Sequence, residues 1–255
     1  MNRETVNVVT HEEIIDPAEL PTFNTMTIYK YVNLVPGLAD KYVYSNDDWY
    51  AMRPMVADDF FDAGGAPMSS WDSIRILRKA NAVEKAEYLK KSKYACSCDR
   101  TYAKFLDVLG EAGIRESLPY DIDAETCVPM FAHDYVAFDR NETERFEKDF
   151  IRLRDMRFGK ARGFNDVDFI SIFCQLNVLR TPEGKGATTT TLLKTEGLPL
   201  ARFEGKTQFQ KFCAYAEHFV GDKHMLCINS TTQDSRKVVA AWLDSKFPDK
   251  CKYEA

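Results

Sequence analysis

Apolar residues recur along this chain with two different periods, and that alternation restricts the fold more than any other feature. A period near two marks half-buried strands, and a period near 3.6 marks amphipathic helices. Strand-like runs occupy residues 6–9, 25–32 and 41–44, separated by Pro17, Pro21 and Pro36-Gly37. Residues 58–67, with Gly64-Gly65, read as a loop. From Ser70 the period turns helical. Trp71, Ile74 and Leu77 begin a stripe that resumes at Val83, Ala86 and Leu89, with Ser69 and Asp72 as capping groups. A second helix is written in Tyr102, Phe105, Leu106 and Leu109, and Gly110 ends it. A third opens at Asn141, with Glu144 in capping-box spacing and Phe146, Phe150 and Leu153 along one face.

After Gly163 the pattern predicts strands at 167–175, 188–194 and 200–203. A helix follows from Thr207 through Phe209, Phe212, Cys213, Ala216 and Phe219, then a strand at 225–228 and a helix at 234–246 that stops before Pro248. The expected class is therefore α+β: a mixed sheet with packed helices, a helical middle region and a β-β-β-α-β-α C-terminal part. Few periodic residues fall between 115 and 140, where Pro119 and Pro129 lie. A soft boundary is expected there, dividing residues 1–118 from an α+β unit at 140–250, with a single domain as the alternative.

The chain has 255 residues, 45% of them apolar and 13% aromatic, which suffices for a sizeable core. Its longest apolar runs, such as residues 169–173, fall far short of the roughly 20 residues that a membrane helix needs. The N-terminus, with Glu4, Glu12, Glu13 and Asp16, lacks the basic start and apolar stretch of a secretory signal. Seven cysteines are scattered from Cys96 to Cys251, an odd number that fits free thiols in a reducing compartment. A cytoplasmic location without membrane association follows as an expectation. Cys96 and Cys98 form a Cys-x-Cys pair, but neither a second pair nor a suitably spaced histidine accompanies it.

Charge is segregated along the chain. Residues 1–70 carry four basic and eleven acidic side chains, whereas residues 75–94 carry seven basic and two acidic ones. The acidic third could meet a protein partner, and the basic stretch could meet phosphates. The acidic cluster Asp58, Asp59 and Asp62 lacks calcium-loop spacing and reads as solvated.

Residues 152–169, RLRDMRFGKARGFNDVDF, hold the densest functional signals. Over residues 152–164, Arg152, Arg154, Arg157, Lys160 and Arg162 oppose the single Asp155, with Phe158 and Phe164 interleaved. Arginine pairs with phosphate and aromatic faces accept any base, so this mixture suits single-stranded nucleic acid. Arg162-Gly163-Phe164, followed by Val167 and Phe169, resembles the signature octapeptide of RNA-recognition-motif domains. Phe158-Gly159, Ala161-Arg162-Gly163 and Asp166-Val167-Asp168-Phe169 are similar to the nucleotidyltransferase motif, with Lys160 where that family has serine. That resemblance implies that Asp166 and Asp168 hold a magnesium ion, with a third carboxylate from a later strand, of which Glu204 is the nearest by position. Glu204-x-Lys206 also has the form of a restriction-endonuclease-like site, but the strand before it carries no acid.

Arg75, Arg78, Lys79, Lys85, Lys90, Lys91 and Lys93 could extend a phosphate-binding groove, with Tyr88 and Tyr94 as stacking partners. His11, His133, His218 and His224 lie far apart, and residues 181–186, TPEGKG, read as a turn rather than a phosphate loop. The reading that results is a nucleic-acid-binding protein for single-stranded DNA or RNA. Its contacts are expected at Arg152, Arg154, Arg157, Phe158, Lys160, Arg162, Phe164, Arg78, Lys79, Lys90 and Lys91. No cofactor is expected except magnesium at Asp166 and Asp168 under an enzymatic alternative. The third reading is a structural or assembly protein without a ligand.

Overall fold

A computed structural model describes residues 6–46, 49–68, 74–111, 123–131, 136–141, 143–144, 191–194, 210, 213–214, 216–217, 225–229 and 233–249. Its helices are α1 (His11–Ile14), α2 (Thr25–Tyr31), α3 (Ala82–Lys91), α4 (Lys93–Glu111) and α5 (Gln233–Lys246). Its strands are β1 (Lys41–Tyr44), β2 (Trp49–Ala51), β3 (Ile74–Arg78), β4 (Cys127–Phe131), β5 (Val136–Asp139), β6 (Thr191–Lys194) and β7 (Met225–Asn229). The class is α+β, as the two periods imply. Among the described residues the strands form three small sheets: β1 with β5, β3 with β4, and the order β2-β7-β6. All pairings are antiparallel except β6 with β7, which is parallel.

Strand β7 is the middle strand of its sheet and is shared by two apolar clusters. Met225 and Cys227 pack on one face with Trp49, Phe60 and Ala137, while Leu226 and Ile228 pack on the other with Ala216, Val239 and Trp242. A strand is apolar at successive positions only when both of its faces are covered. The pairing of Trp49 with Cys227 and of Tyr50 with Leu226 carries the same division onto β2, since a one-residue slip would exchange the two faces.

A second packing unit joins α4 to β4. Ala95, Cys98, Tyr102 and Leu106 are buried at steps of three and four, the spacing of one helical face, and β4 buries Cys127 and Val128. Helix α3 adds a charged contact instead of an apolar one. Its buried Lys85 reaches Asp99 Oδ1 at 2.5 Å and donates to the Ala124 carbonyl at 2.6 Å, whereas Val83 is exposed.

Several local expectations give way to tertiary context. Residues 6–9 lie outside regular structure, and the predicted strand at 25–32 is helix α2. Its β-branched and aromatic residues favour a strand locally, but Thr27, Lys30 and Tyr31 are buried at i, i+3 and i+4, which only a helix places on one face. The helix read from Ser70 is replaced at Ile74–Arg78 by strand β3, paired residue for residue with β4. Helix α3 begins later, where the Asn81 side chain accepts from the Glu84 N–H at 2.9 Å. Strands β4 and β5 occupy a stretch with no legible period, because partners distant in sequence complete their ladders.

Strand β1, helix α4, strands β6 and β7 and helix α5 agree with the reading, while the predicted helices from Asn141 and from Thr207 lie largely outside the described residues. Helix α4 contains the second predicted helix, β6 lies in the predicted 188–194 strand, and β7 and α5 match their predicted spans within one residue. The predicted strands at 167–175 and 200–203 lie outside the described residues.

Gly65 is the glycine that the fold most needs. Its φ of +79° is left-handed, and a Cβ there would sit 1.8 Å from the Lys41 Nζ. Its N–H donates to the Asp62 carbonyl at 2.8 Å, and the Asp62 side chain accepts from the Ala66 N–H at 2.8 Å. Gly65→Ala is expected to cost about 1 kcal/mol or more, through φ strain and displacement of Lys41. An unchanged denaturation midpoint in urea would contradict this account.

Candidate functional site

Two polar clusters flank helix α2. The first is internal. Lys30 Nζ lies 2.5 Å from Glu19 Oε1, and their side chains are only 1% and 6% exposed. The Tyr31 hydroxyl donates to the same carboxylate oxygen at 3.1 Å. Glu19 ends a 3-10 turn, Pro17–Glu19, that opens with Asp16 accepting from the Ala18 N–H, so this carboxylate ties the turn to α2. Burial raises the Tyr31 phenol above its usual 10.0, and the neighbouring Glu19 charge and hydrogen bond add to the rise. Tyr31 thus stays a neutral donor to Glu19.

The second cluster lies where β1 ends. Asn46 is half-buried, and its Oδ1 accepts from the Tyr44 hydroxyl at 2.8 Å and from the Tyr29 hydroxyl at 3.3 Å. Tyr29 comes from α2 and Tyr44 from β1, with ring centroids 4.6 Å apart at a 58° tilt. The Asn46 carbonyl accepts from the Trp49 N–H and from the Ser45 hydroxyl, both at 3.3 Å. Asp47 and Asp48 fall between Asn46 and Trp49 in the sequence.

Strand β1 is itself anchored along its length. Arg140 at the end of β5 contacts the Leu38 carbonyl at 3.1 Å and Asp40 at 3.2 Å, and Tyr42 stacks on Phe138 with centroids 5.1 Å apart. An asparagine held by two tyrosines at the end of an anchored strand is a polar platform; Asp47 and Asp48, which follow it in the sequence, lie outside the described residues. The sequence reading passed over it. The available signal was the run Asn46-Asp47-Asp48 at the end of a predicted strand, within the most acidic third of the chain.

Of the residues expected to bind nucleic acid, Arg78, Lys79, Lys90 and Lys91 are among the described residues. Arg152, Arg154, Arg157, Phe158, Lys160, Arg162, Phe164, Asp166, Asp168 and Glu204 lie outside the described residues. Of the others, Arg78 directs a guanidinium nitrogen at Cys127 Sγ, 3.5 Å away, and Lys79 sits 4.0 Å over the Tyr88 ring. Lys90 pairs with Glu87 at 2.7 Å, and Lys91 is exposed at the end of α3. The basic stretch is thus partly spent on internal contacts, Lys85 most of all.

Among the described residues no group of three or more His, Cys, Asp or Glu is placed to hold a metal ion. Cys96 and Cys98 are free thiols on α4, and burial followed by the Glu217 charge raises the Cys213 thiol, which disfavours a reactive thiolate. Asp59 is engaged by Arg53 at 2.8 Å and by the Val56 N–H at 2.9 Å. No helix among the described residues is long and apolar enough to cross a membrane.

A family profile described as Stealth protein CR2, conserved region 2, matches residues 1–69, the segment that contains both polar clusters. A capsular polysaccharide phosphotransferase of Haemophilus influenzae is 25% identical over 235 residues, covering 90% of this chain and 57% of that protein. One from Neisseria meningitidis is 40% identical over 60 residues, which are 24% of this chain and 16% of that protein. Another, from Actinobacillus suis, is 36% identical over 63 residues, which are 25% of this chain and 17% of that protein. The chain thus spans little more than half the length of the longest-matching of these three relatives.

These likenesses overturn the nucleic-acid-binding reading and its enzymatic and structural alternatives, along with single-stranded nucleic acid as the partner. The expectation of no cofactor, or of magnesium at Asp166 and Asp168 alone, rested on those readings and falls with them. The physical error was to weigh local basic charge over the acidic segment, whose net negative charge repels a bare phosphate backbone. Over nine-tenths of its length, this chain is similar to a capsular polysaccharide phosphotransferase.

Proposed function

We propose that this chain carries part of a phosphotransferase active site that acts on a saccharide, with the reacting phosphate handled at the end of β1. The observation that carries the reading is coincidence in place: the family match at residues 1–69 falls on the segment where Tyr29, Tyr44 and Asn46 build a polar platform, with Asp47 and Asp48 following Asn46 in the sequence. Phosphoryl transfer asks a protein mainly to position its substrates and to stabilise charge. Anchored strands and half-buried side-chain hydrogen bonds are the means of positioning.

Charge stabilisation in an acidic segment calls for a cation. Asp47 and Asp48 offer hard oxygen donors suited to a divalent ion, and they are the residues we assign to hold it. Such an ion neutralises phosphate oxygens and polarises the phosphorus–oxygen bond. The chain's own residues supply the rest: Tyr29 and Tyr44 orient Asn46, and Arg140 and Tyr42 hold β1 in register against β5. A cytoplasmic site of action, where activated sugar phosphates are made, accords with this reading.

The test is a transfer assay followed by phosphorus NMR, with a nucleoside diphosphate sugar as donor and an oligosaccharide as acceptor, in the presence and absence of manganese. Asp47→Asn and Asp48→Asn are each expected to reduce transfer by about a hundredfold or more, with thermal stability unchanged. Full activity in both variants would remove the β1 end from the mechanism.

A further inference from the structure

We propose that Lys41, at the start of β1, and the loop at residues 62–66 form a subsite for a second phosphate, one carried by the saccharide chain that accepts the transferred group. This rests on the phosphotransferase reading and names the class of its acceptor. The Lys41 side chain lies along the loop, and its ammonium fills the space that a β-carbon on Gly65 would take. The same ammonium stands 5.9 Å from the centroid of the Phe61 ring. Among the described residues it makes no hydrogen bond and no ion pair.

That is an unusual state for a cation in the acidic third of the chain, and the nearby carboxylates are engaged elsewhere. Asp40 is paired with Arg140 and Asp59 with Arg53, while Asp62 Oδ1 accepts from the Ala66 N–H inside the loop. The Gly65 N–H is spent on the Asp62 carbonyl. Among the described residues the N–H groups of Ala63 and Gly64 make no hydrogen bond, and both residues are exposed. A lysine point charge beside main-chain N–H donors is a combination that recognises phosphate.

Lys41 opens the strand that Tyr44 ends, so the two lie about 10 Å apart at the usual rise of a strand. A phosphate held at Lys41 is therefore not the reacting one. The reaction itself supplies the second. Transfer from a nucleoside diphosphate sugar breaks the bridging phosphorus–oxygen bond and forms a new one to an acceptor hydroxyl, whose proton passes to solvent. A nucleoside monophosphate leaves, and a phosphodiester joins sugar to acceptor. A chain extended in this way carries a phosphate at each junction already made.

Transfer is measured with two trisaccharide acceptors of the donor sugar, one joined by phosphodiesters and one by neutral glycosidic bonds, at saturating donor. Lys41→Gln is expected to raise the KM for the phosphodiester-linked acceptor, relative to that for the neutral one, about three- to tenfold, the range for loss of a charged hydrogen bond at an exposed site. The donor KM and the urea midpoint are expected to stay near wild type. An unchanged ratio of the two acceptor KM values would overturn the subsite, because a purely structural role is blind to acceptor charge. A rise in donor KM in place of the acceptor effect would put the donor diphosphate at Lys41 and overturn the acceptor assignment. A wild-type protein that transfers nothing would overturn the phosphotransferase reading. Calorimetry with the phosphodiester-linked trisaccharide then decides the subsite by itself: binding weakened in Lys41→Gln supports it, and equal or absent binding in both proteins overturns it.

Discussion

Trp242→Ala is expected to lower the unfolding free energy by about 3–5 kcal/mol, the usual cost of deleting a fully buried tryptophan. Trp242 is 1% exposed and packs with Leu226, Ile228, Val239 and Ala216, so α5 is pinned to one face of β7 through this ring. The cavity lies on the strand that also bears Met225 and Cys227 of the opposite cluster, so little relaxation is available to refill it. Guanidinium unfolding of the two proteins, read by circular dichroism, checks the figure. A loss below about 1 kcal/mol would mean that α5 docks without this side chain. Trp242→Phe retains most of the apolar area and is expected to lose less.

Lys30→Met is expected to destabilise by about 3–5 kcal/mol, because it strands the Glu19 carboxylate in the interior. The pair is 2.5 Å apart, and neither side chain reaches solvent to any extent. Desolvation makes each ion costly, and their mutual attraction offsets that cost only while both are present. The double substitution Glu19→Leu/Lys30→Met should therefore recover most of the loss, although it deprives the Tyr31 hydroxyl of its acceptor. A double variant as unstable as the single one would show that the pair sets the position of α2 rather than merely neutralising a charge. Because α2 also delivers Tyr29 to Asn46, transfer activity in a folded double variant reports whether this ion pair governs the β1 site.

The difference between what was legible and what was not follows from the range of the interactions. Helices α4 and α5 and strand β7 carry their periods in contiguous residues, and strand β1 does so between clear breakers. The α+β class could therefore be read directly. Helix α2 and strand β3 could not. Thr25-Met26-Thr27-Ile28-Tyr29 has strand propensity, and only the burial of Thr27, Lys30 and Tyr31, the last two bonded to Glu19 of the 3-10 turn, selects the helix. Ile74 and Leu77 fit a helical stripe until β4, about fifty residues later, supplies a ladder partner.

The site divides in the same way. Basic charge is visible residue by residue, so the sequence reading weighted Arg152 to Arg162 and the lysines in and just before α3, yet Lys85, Lys79 and Lys90 are taken up by Asp99, Tyr88 and Glu87. By itself the sequence determined the two periods, the segregation of charge, and the run Asn46-Asp47-Asp48 in the acidic third. Only the tertiary structure decided that Tyr29 and Tyr44, fifteen residues apart, meet on the Asn46 amide. A hydrogen bond between side chains depends on where α2 and β1 pack, and that is settled by the core and not by the local chain.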